Sequence, residues 1–339
     1  MAEILVTGGS GYIGSYCVLA GLAAGHSVRT TVRNLSKEPA LRAMLESGGA
    51  GPEPQLRVLR ADLENDDGWH EAAEGCDYVL HVASPTLTRV PSSDDEMIVP
   101  ARDGVLRVLQ AAKETGVGRV VLTSAFGAVG YGHAPRSTPF TEEDWTEVRD
   151  GIPPYQKSKT LAERAAWEFA DRTGLELAAV NPTGVLGPVL GPDYSPSLGV
   201  VARMLDGSMP LIPKFASGFV DVRDVAELHL LAMTDPAAVG ERFLATAGHS
   251  LWMRDIAAVL RARLGEHASR VPTRELPIWA AKALSRVNPA MRILRPQLGL
   301  NLDASSAKAQ RVLGWRHRPI EQTIVDTAES LLALDRQAA

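Results

Sequence analysis

Cysteine is scarce in this chain: its 339 residues include only Cys17 and Cys76. One lies in a predicted helix and the other precedes a predicted strand, so they do not form the closely spaced clusters that bind zinc. A disulfide framework of the kind found in small secreted domains also needs more cysteines. We therefore interpret both thiols as packing residues and predict no metal site.

Long hydrophobic runs and basic runs are also missing. No apolar stretch approaches the ~20 residues needed to cross a bilayer, and the first residues are typical of a buried strand rather than a signal peptide. The 35 basic and 40 acidic residues are mixed throughout, with a net charge of −5, and form no cluster suited to a phosphate backbone. These absences predict a cytoplasmic protein that binds neither nucleic acid nor membrane.

Length and patterning predict an α/β protein with a main domain and a smaller lobe. The chain is 45% hydrophobic and longer than a typical domain of roughly 100–200 residues. Short apolar runs alternate with amphipathic stretches over 1–180, which is typical of a doubly wound parallel sheet with crossover helices. We predict a Rossmann domain over 1–180, to which 219–246 returns, and a mostly helical substrate lobe over 181–218 and 247–339.

Individual elements follow from the same periodicities. Strands are predicted at 3–7, 27–32, 56–60, 77–82, 119–123, 175–180 and 243–245. Helices are predicted at 11–24, 38–47, 66–74, 94–115, 155–172, 222–234, 252–264 and 319–335. Proline and glycine are frequent between Val180 and Gly218, so this segment is predicted to be rich in loops.

A glycine-rich turn, Thr7-Gly8-Gly9-Ser10-Gly11-Tyr12-Ile13-Gly14, follows the first predicted strand. In dinucleotide-binding turns of this type, the glycines permit a tight turn, close approach of the backbone to a pyrophosphate, and packing of the helix on the strand. The first N–H groups of the helix face the phosphates at the positive end of its dipole. The turn therefore predicts cofactor contacts at Gly8, Gly11, Tyr12, Ile13 and Gly14.

The end of the second strand indicates which dinucleotide binds. NAD-binding proteins usually carry an acidic residue there for the ribose 2′-hydroxyl, whereas this chain has Arg33, followed by Lys37. A guanidinium suits a 2′-phosphate, so we predict NADP(H). Further cofactor contacts are expected after the third and fourth strands, at Asp62, Leu63, Val82, Ala83 and Ser84.

A second motif, Tyr155-Gln156-Lys157-Ser158-Lys159, lies on a predicted helix. Positions i and i+4 share a helix face, so Tyr155 and Lys159 are expected to lie together. A nearby ammonium and an oxidised nicotinamide would both lower the pKa of the tyrosine, which suits a proton-transfer group. Ser124 ends the fifth strand, where its hydroxyl is expected to bond the substrate oxygen.

These motifs resemble the extended short-chain dehydrogenase/reductase superfamily over nearly the whole chain. The branch that contains dihydroflavonol-4-reductase, cinnamoyl-CoA reductase and microbial aldehyde and ketone reductases is the most similar. The similarity is carried by Thr123-Ser124-Ala125, residues 155–167 (YQKSKTLAERAAW), Asn181-Pro182, Gly187-Pro188 and residues 219–226 (FVDVRDVA). The resemblance implies that Ser124 orients the carbonyl, Tyr155 donates the proton, Lys159 lowers the tyrosine pKa and holds the ribose, and Pro182 lies near the nicotinamide.

We predict an NADPH-dependent carbonyl reductase that reversibly converts an aldehyde or ketone to an alcohol. One alternative is an NAD-dependent nucleotide-sugar epimerase or dehydratase. Epimerases of this superfamily usually carry an arginine just before the Phe that begins the motif at residues 219–226, where this chain has Ser217-Gly218. Another alternative is a catalytically silent protein that senses dinucleotides.

The pocket is expected to select apolar or aromatic substrates, because mainly apolar and aromatic residues follow the strand ends or lie in the loop-rich segment. The predicted lining residues are Phe126, Tyr131, His133, Val185, Tyr194 and Phe215. His81 and His229 lie within apolar elements and are interpreted as structural. The sequence leaves open whether the protein is a monomer or a homodimer.

Overall fold

The computed structural model describes residues 1–51, 54–85, 91–134, 136–191 and 197–338. The strands are β1 (Glu3–Thr7), β2 (Ser27–Val32), β3 (Leu56–Arg60), β4 (Tyr78–His81), β5 (Arg119–Thr123), β6 (Glu176–Pro182), β7 (Gly184–Leu186), β8 (Ile212–Pro213), β9 (Ala216–Ser217), β10 (Phe219–Asp221), β11 (Arg242–Ala245), β12 (Leu251–Trp252), β13 (Glu275–Leu276) and β14 (Asn301–Leu302). The helices are α1 (Tyr12–Ala23), α2 (Glu38–Ser47), α3 (Trp69–Ala73), α4 (Asp95–Glu114), α5 (Pro154–Thr173), α6 (Leu198–Leu205), α7 (Val222–Thr234), α8 (Met253–Arg263), α9 (Ile278–Leu284), α10 (Pro289–Leu294), α11 (Ala307–Leu313) and α12 (Ile320–Ala338).

Seven parallel strands form the central sheet, in the order β3-β2-β1-β4-β5-β6-β11. Thr7 pairs with His81, and Thr123 pairs with Val180. Because the strands are parallel, the carboxyl ends of β1, β4, β5 and β6 meet along one edge, where open α/β sheets bind ligands. The predicted doubly wound sheet is confirmed.

Helices cover both faces of this sheet, which explains its nearly continuous apolar strands. Ile4 and Val6 belong to a buried cluster that includes residues of α1 and α7, whereas Leu5 lies in a separate cluster with residues of α3, α4 and α5. Successive strand residues point to opposite faces, so one short strand contributes to both clusters. The position of α5 along one face brings its first turn near the carboxyl end of β5.

The segment between Val180 and Gly218 is more regular than predicted. Leu198, Val201 and Met204 are buried at helical spacing in α6, a pattern that the surrounding prolines and glycines obscured. β10 pairs with β7 rather than joining the central sheet, and among the described residues after α7 only β11 returns to that sheet. The third predicted helix, 66–74, is also shorter, because Gly68 adopts a positive φ of 87° immediately before α3.

A third cluster forms the core of the C-terminal part of the chain. It contains Leu198 of α6, Ile256 of α8 and Ile324 of α12. Tyr12 packs against this cluster and against the core beneath α1, so the glycine turn lies beside it. Across the described ranges, no helix combines the length and hydrophobicity needed to span a membrane.

Candidate active site

The glycine turn between β1 and α1 requires small residues at several positions. Gly8 has φ +70°, and a Cβ on Gly14 would lie 2.2 Å from the carbonyl oxygen of Gly8. A Cβ on Gly9 would lie 2.1 Å from Thr30 Oγ1. Gly9 was not among the predicted site residues, although its glycine identity is required for the turn to pack against β2.

The first turn of α1 fits an anionic group. Gly11 precedes the helix without a side-chain cap, and the first turn carries no acidic residue. The initial N–H groups of a helix have no intrahelical acceptors, so those of Tyr12 and Ile13 are suited to phosphate oxygens. The side chains of these two residues are partly buried, which leaves the backbone as the binding element.

The residues predicted to contact the cofactor after β2 and β3 differ in their exposure. Arg33 and Lys37 are exposed, and neither forms an ion pair within the part of the chain that the structure describes. Leu63, in contrast, is only 8% exposed and packs close to Gly104. The Asp62 carboxylate accepts a bond from the N–H of Glu64.

Thr7 organises the segment that follows β4. Its hydroxyl oxygen accepts hydrogen bonds of 3.0 Å from the N–H groups of both Val82 and Ala83. A Cβ on Gly8 would lie 3.0 Å from Ala83, so the two segments are in close contact. Val82, Ala83 and Ser84 are partly exposed and border the glycine turn, as a cofactor segment would.

Tyr155 and Lys159 lie in the first half of α5, next to the end of β5. Tyr155 is 45% exposed, and its Cε1 atom lies 3.5 Å from where a Cβ on Gly127 would be. Lys159 Nζ donates to the carbonyl oxygen of Thr123 at 3.4 Å. The structure therefore brings both side chains to the edge at which β6 ends with Pro182.

The pKa directions differ from the sequence expectation. Desolvation, followed by the charge of Tyr131, raises the pKa of Tyr155 to about 12, and Lys159 does not lower it here. Burial lowers the pKa of Lys159 to about 8, and the charge of Glu163 acts in the opposite direction. Because the tyrosine ring is partly exposed, solvent moderates the shift; its direction favours the protonated phenol.

Ser124 is buried, at 5% exposure, and its hydroxyl donates to Glu163 Oε2 at 2.5 Å. Asn181 Nδ2 donates to the same oxygen at 2.8 Å. In this arrangement the Ser124 proton is not available to a substrate oxygen. Glu163 was missed by the sequence reasoning, although it lies four residues after Lys159 and eight after Tyr155, a spacing that places all three on one side of a helix.

The predicted pocket residues do not form one exposed wall. Phe126, Val185 and Phe215 are only 5–6% exposed and belong to three different hydrophobic clusters, so they present almost no surface to a ligand. Packing between distant segments buries them, which strand-end position alone does not reveal. Tyr131 and His133 are partly exposed, and Tyr194 lies outside the described residues.

His81 and His229 are fully buried. Burial lowers the pKa of His81 to about 3. Its Nδ1 lies 2.9 Å from Thr7 Oγ1, and because that oxygen already accepts two N–H groups, the Thr7 proton is directed at Nδ1. His81 is therefore neutral with its proton on Nε2, and this group has no hydrogen-bond partner among the described residues.

Two surface cavities lie away from the carboxyl edge of the central sheet. One of about 600 Å³ includes Tyr16, His26 and Arg223 in its lining, and one of about 590 Å³ includes Trp69 and Phe169. Neither contains any residue predicted for the site. The described residues contain no cluster of three potential His, Cys, Asp or Glu metal ligands.

The chain is similar in sequence and fold to several known reductases. The model of the NAD dependent epimerase/dehydratase family matches residues 4–245. The chain is 37% identical over 264 residues to tetraketide alpha-pyrone reductase 2 of Arabidopsis thaliana, covering 74% of this chain and 80% of that protein. It is 31% identical over 338 residues to cinnamoyl-CoA reductase CAD2 of Medicago truncatula, covering 97% and 95%. The crystal structure of yeast methylglyoxal/isovaleraldehyde reductase Gre2 complexed with NADPH has a TM-score of 0.80 at 26% identity, covering 98% of this chain and 99% of that chain.

Proposed function

The chain belongs to the NAD dependent epimerase/dehydratase family, and we propose that it is an NADP(H)-dependent reductase of small aldehydes or ketones. The predicted resemblance to the dihydroflavonol-4-reductase and cinnamoyl-CoA-reductase branch of the extended short-chain dehydrogenases is confirmed. One observation carries the proposal: Tyr155 and Lys159 lie together at the carboxyl end of β5, across the sheet edge from the glycine turn.

The coenzyme preference rests on Arg33. Its guanidinium follows β2 on the protein surface, with no acidic partner among the described residues, at the position where an acid would bind a ribose 2′-hydroxyl. A free guanidinium suits a phosphate. The solved structure of Gre2 contains NADPH, which supports the same preference for this chain.

Bound NADPH would supply the hydride for the carbonyl carbon. Tyr155 donates its phenolic proton to the carbonyl oxygen, and its raised pKa keeps that proton in place at neutral pH. Lys159 holds the nicotinamide ribose through its ammonium. Ser124 orients the substrate oxygen after its hydroxyl turns away from Glu163, which requires rotation about one side-chain torsion.

Gly218, which immediately precedes the motif at residues 219–226, leaves no room for an arginine that could bind a nucleotide sugar. A Cβ on Gly218 would lie 2.7 Å from Thr183 Cγ2 and 2.8 Å from Thr246 Oγ1. No larger side chain fits there without rearrangement of both threonines. This crowding supports the reductase over the epimerase.

A substrate screen tests the proposal. Aromatic and aliphatic aldehydes and ketones are incubated with the purified protein while NADPH and NADH oxidation are followed in parallel, with Tyr155→Phe as the background control. We expect NADPH oxidation that depends on both substrate and Tyr155. Conversion of a nucleotide sugar without net NADPH consumption, together with no reduction of any simple carbonyl compound, would instead identify an epimerase.

A further inference from the structure

The carboxylate of Glu163 is buried directly behind the proposed catalytic residues. Its side chain is 0% exposed and receives five hydrogen bonds from four residues. Arg242 Nε donates to Oε1 at 2.6 Å and Arg242 Nη2 to Oε2 at 3.3 Å, while Trp167 Nε1 donates to Oε1 at 3.2 Å. Ser124 and Asn181 complete the set through Oε2.

Arg242 holds this carboxylate in place from β11. Its Nη1 donates to the carbonyl oxygens of Glu142 and Asp144 at 2.7 and 2.9 Å. Its guanidinium carbon lies 3.7 Å from the centroid of the Trp145 ring. A buried ion pair with so many additional bonds has a well-defined geometry.

Lys159 precedes Glu163 by four residues on α5, so the two side chains are neighbours on the helix surface. The other groups that face Lys159 are Tyr155 on the same helix, the neutral His81 on β4 and the carbonyl of Thr123 on β5. Among the described residues, Glu163 is the negatively charged group that interacts with this ammonium. It opposes the desolvation that favours the neutral amine.

We propose that Glu163, anchored by Arg242, is a positioning residue that keeps Lys159 protonated for its role at the coenzyme. The inference rests on the proposed reductase function. Glu163 does not touch the substrate in this assignment; it acts through the charge of Lys159. Four donor residues hold the Glu163 carboxylate in one position.

Two substitutions of Glu163 separate the effect of its charge from the effect of its shape. Glu163→Gln removes the charge and keeps the shape, whereas Glu163→Asp keeps the charge on a shorter side chain. Glu163→Gln combined with Arg242→Gln removes the whole ion pair and leaves no buried charge without a partner, a change that proteins tolerate better than the loss of one member. Glu176→Gln is the matched control, because Glu176 pairs with Arg119 at 2.9 Å at the opposite edge of the sheet.

The first measurement does not depend on activity. Competitive acetylation of the folded protein across a pH series, read by mass spectrometry, reports the titration of Lys159, which is partly exposed. Lys157 serves as an internal reference, because it pairs with Asp94 at 2.7 Å. The second measurement is the pH dependence of the single-turnover reduction rate.

We expect the titration of Lys159 to move to lower pH by about one unit in Glu163→Gln, and by less in the double variant, which also removes the positive charge of Arg242. The alkaline limb of the rate profile should move with it. Glu163→Asp and Glu176→Gln should leave the titration of Lys159 near its wild-type position. An unchanged titration of Lys159 in folded Glu163→Gln, or in the folded double variant where the single variant does not fold, would overturn the proposal. A wild-type protein that reduces no carbonyl compound would reject the reductase function, while the acetylation result would still decide whether Glu163 controls Lys159.

Discussion

His229 Nε2 accepts a 2.7 Å hydrogen bond from Thr123 Oγ1, the last side chain of β5 before Ser124. The other ring nitrogen, Nδ1, lies 2.7 Å from the carbonyl oxygen of Val225 and must donate to it. Both nitrogens are therefore satisfied in the neutral ring. Burial lowers the pKa of His229 to about 4.

This histidine should make stability depend on pH. An unfolded histidine titrates near 6.5, so between pH 6.5 and about 4 the unfolded state binds more protons than the folded state. The free energy of unfolding therefore decreases as the pH is lowered through this range. The contribution is complete above pH 6.5 and amounts to roughly 3 kcal/mol at most. We expect urea unfolding at pH 7.5 and 5 to differ less for His229→Gln than for the wild type, with the exposed His70→Gln as control. Equal differences in all three proteins would contradict this assignment; His81 should preserve part of the dependence.

Gly14→Ala should damage the coenzyme site. Its Cβ would meet the backbone oxygen of Gly8 at 2.2 Å, so α1 would have to move away from the turn, at a cost of roughly 1–3 kcal/mol. We expect a lower melting temperature and weaker NADPH binding. Gly199→Ala is the matched helical control, since no atom lies within 4 Å of its added Cβ. Wild-type NADPH affinity in Gly14→Ala would show that this contact does not shape the site.

Arg33→Asp should reverse the coenzyme preference. The substitution removes the guanidinium that is proposed to bind the 2′-phosphate and supplies the acid that binds a ribose hydroxyl. A charge-assisted contact contributes about 1.5–3 kcal/mol, or roughly ten- to a hundredfold in affinity. Binding of NADPH and NADH is measured for this variant and for Arg57→Asp, which changes an exposed arginine in β3. If Arg33→Asp changes neither binding constant, the 2′-phosphate is bound elsewhere.

Tyr155→Phe should remove the proposed proton donor while preserving the ring. We expect the single-turnover rate of reduction to fall by ~10²–10⁴-fold, which is typical for loss of a general acid. NADPH affinity and melting temperature should remain near wild type. Tyr78→Phe is the control, because Tyr78 begins β4 at the opposite end of the strand. Near wild-type turnover by Tyr155→Phe would exclude this hydroxyl from the mechanism.

The raised pKa of Tyr155, about 12, predicts a directional pH dependence. In the proposed mechanism, reduction uses the protonated phenol, which is present at neutral pH, whereas alcohol oxidation needs the phenolate. Below the pKa, the phenolate population rises tenfold with each pH unit, so we expect NADP⁺-dependent oxidation to accelerate from pH 7 to 10. The initial rates of both directions are compared across this range. Oxidation whose rate is already constant from pH 7 to 10 would show that bound coenzyme lowers the tyrosine pKa instead.

The sequence by itself determined the framework of the protein. Short apolar runs and helical periodicity predicted the seven central strands, and the flanking helices α1, α2 and α5 were predicted to within one residue or exactly at their bounds. The glycine spacing predicted the turn, and the i, i+4 relation predicted that Tyr155 and Lys159 share a face. These features depend on residues close together along the chain, so local patterns were sufficient.

Tertiary structure decided burial, charge and hydrogen-bond partners. Ser124 and its acceptor Glu163 are separated by 39 positions, and Glu163 is 79 positions from Arg242. Phe126 is a core residue because segments distant in sequence pack around it, and desolvation sets the direction of the Tyr155 pKa. The free energy of a buried polar or aromatic group depends on what surrounds it in space, which local sequence patterns do not specify.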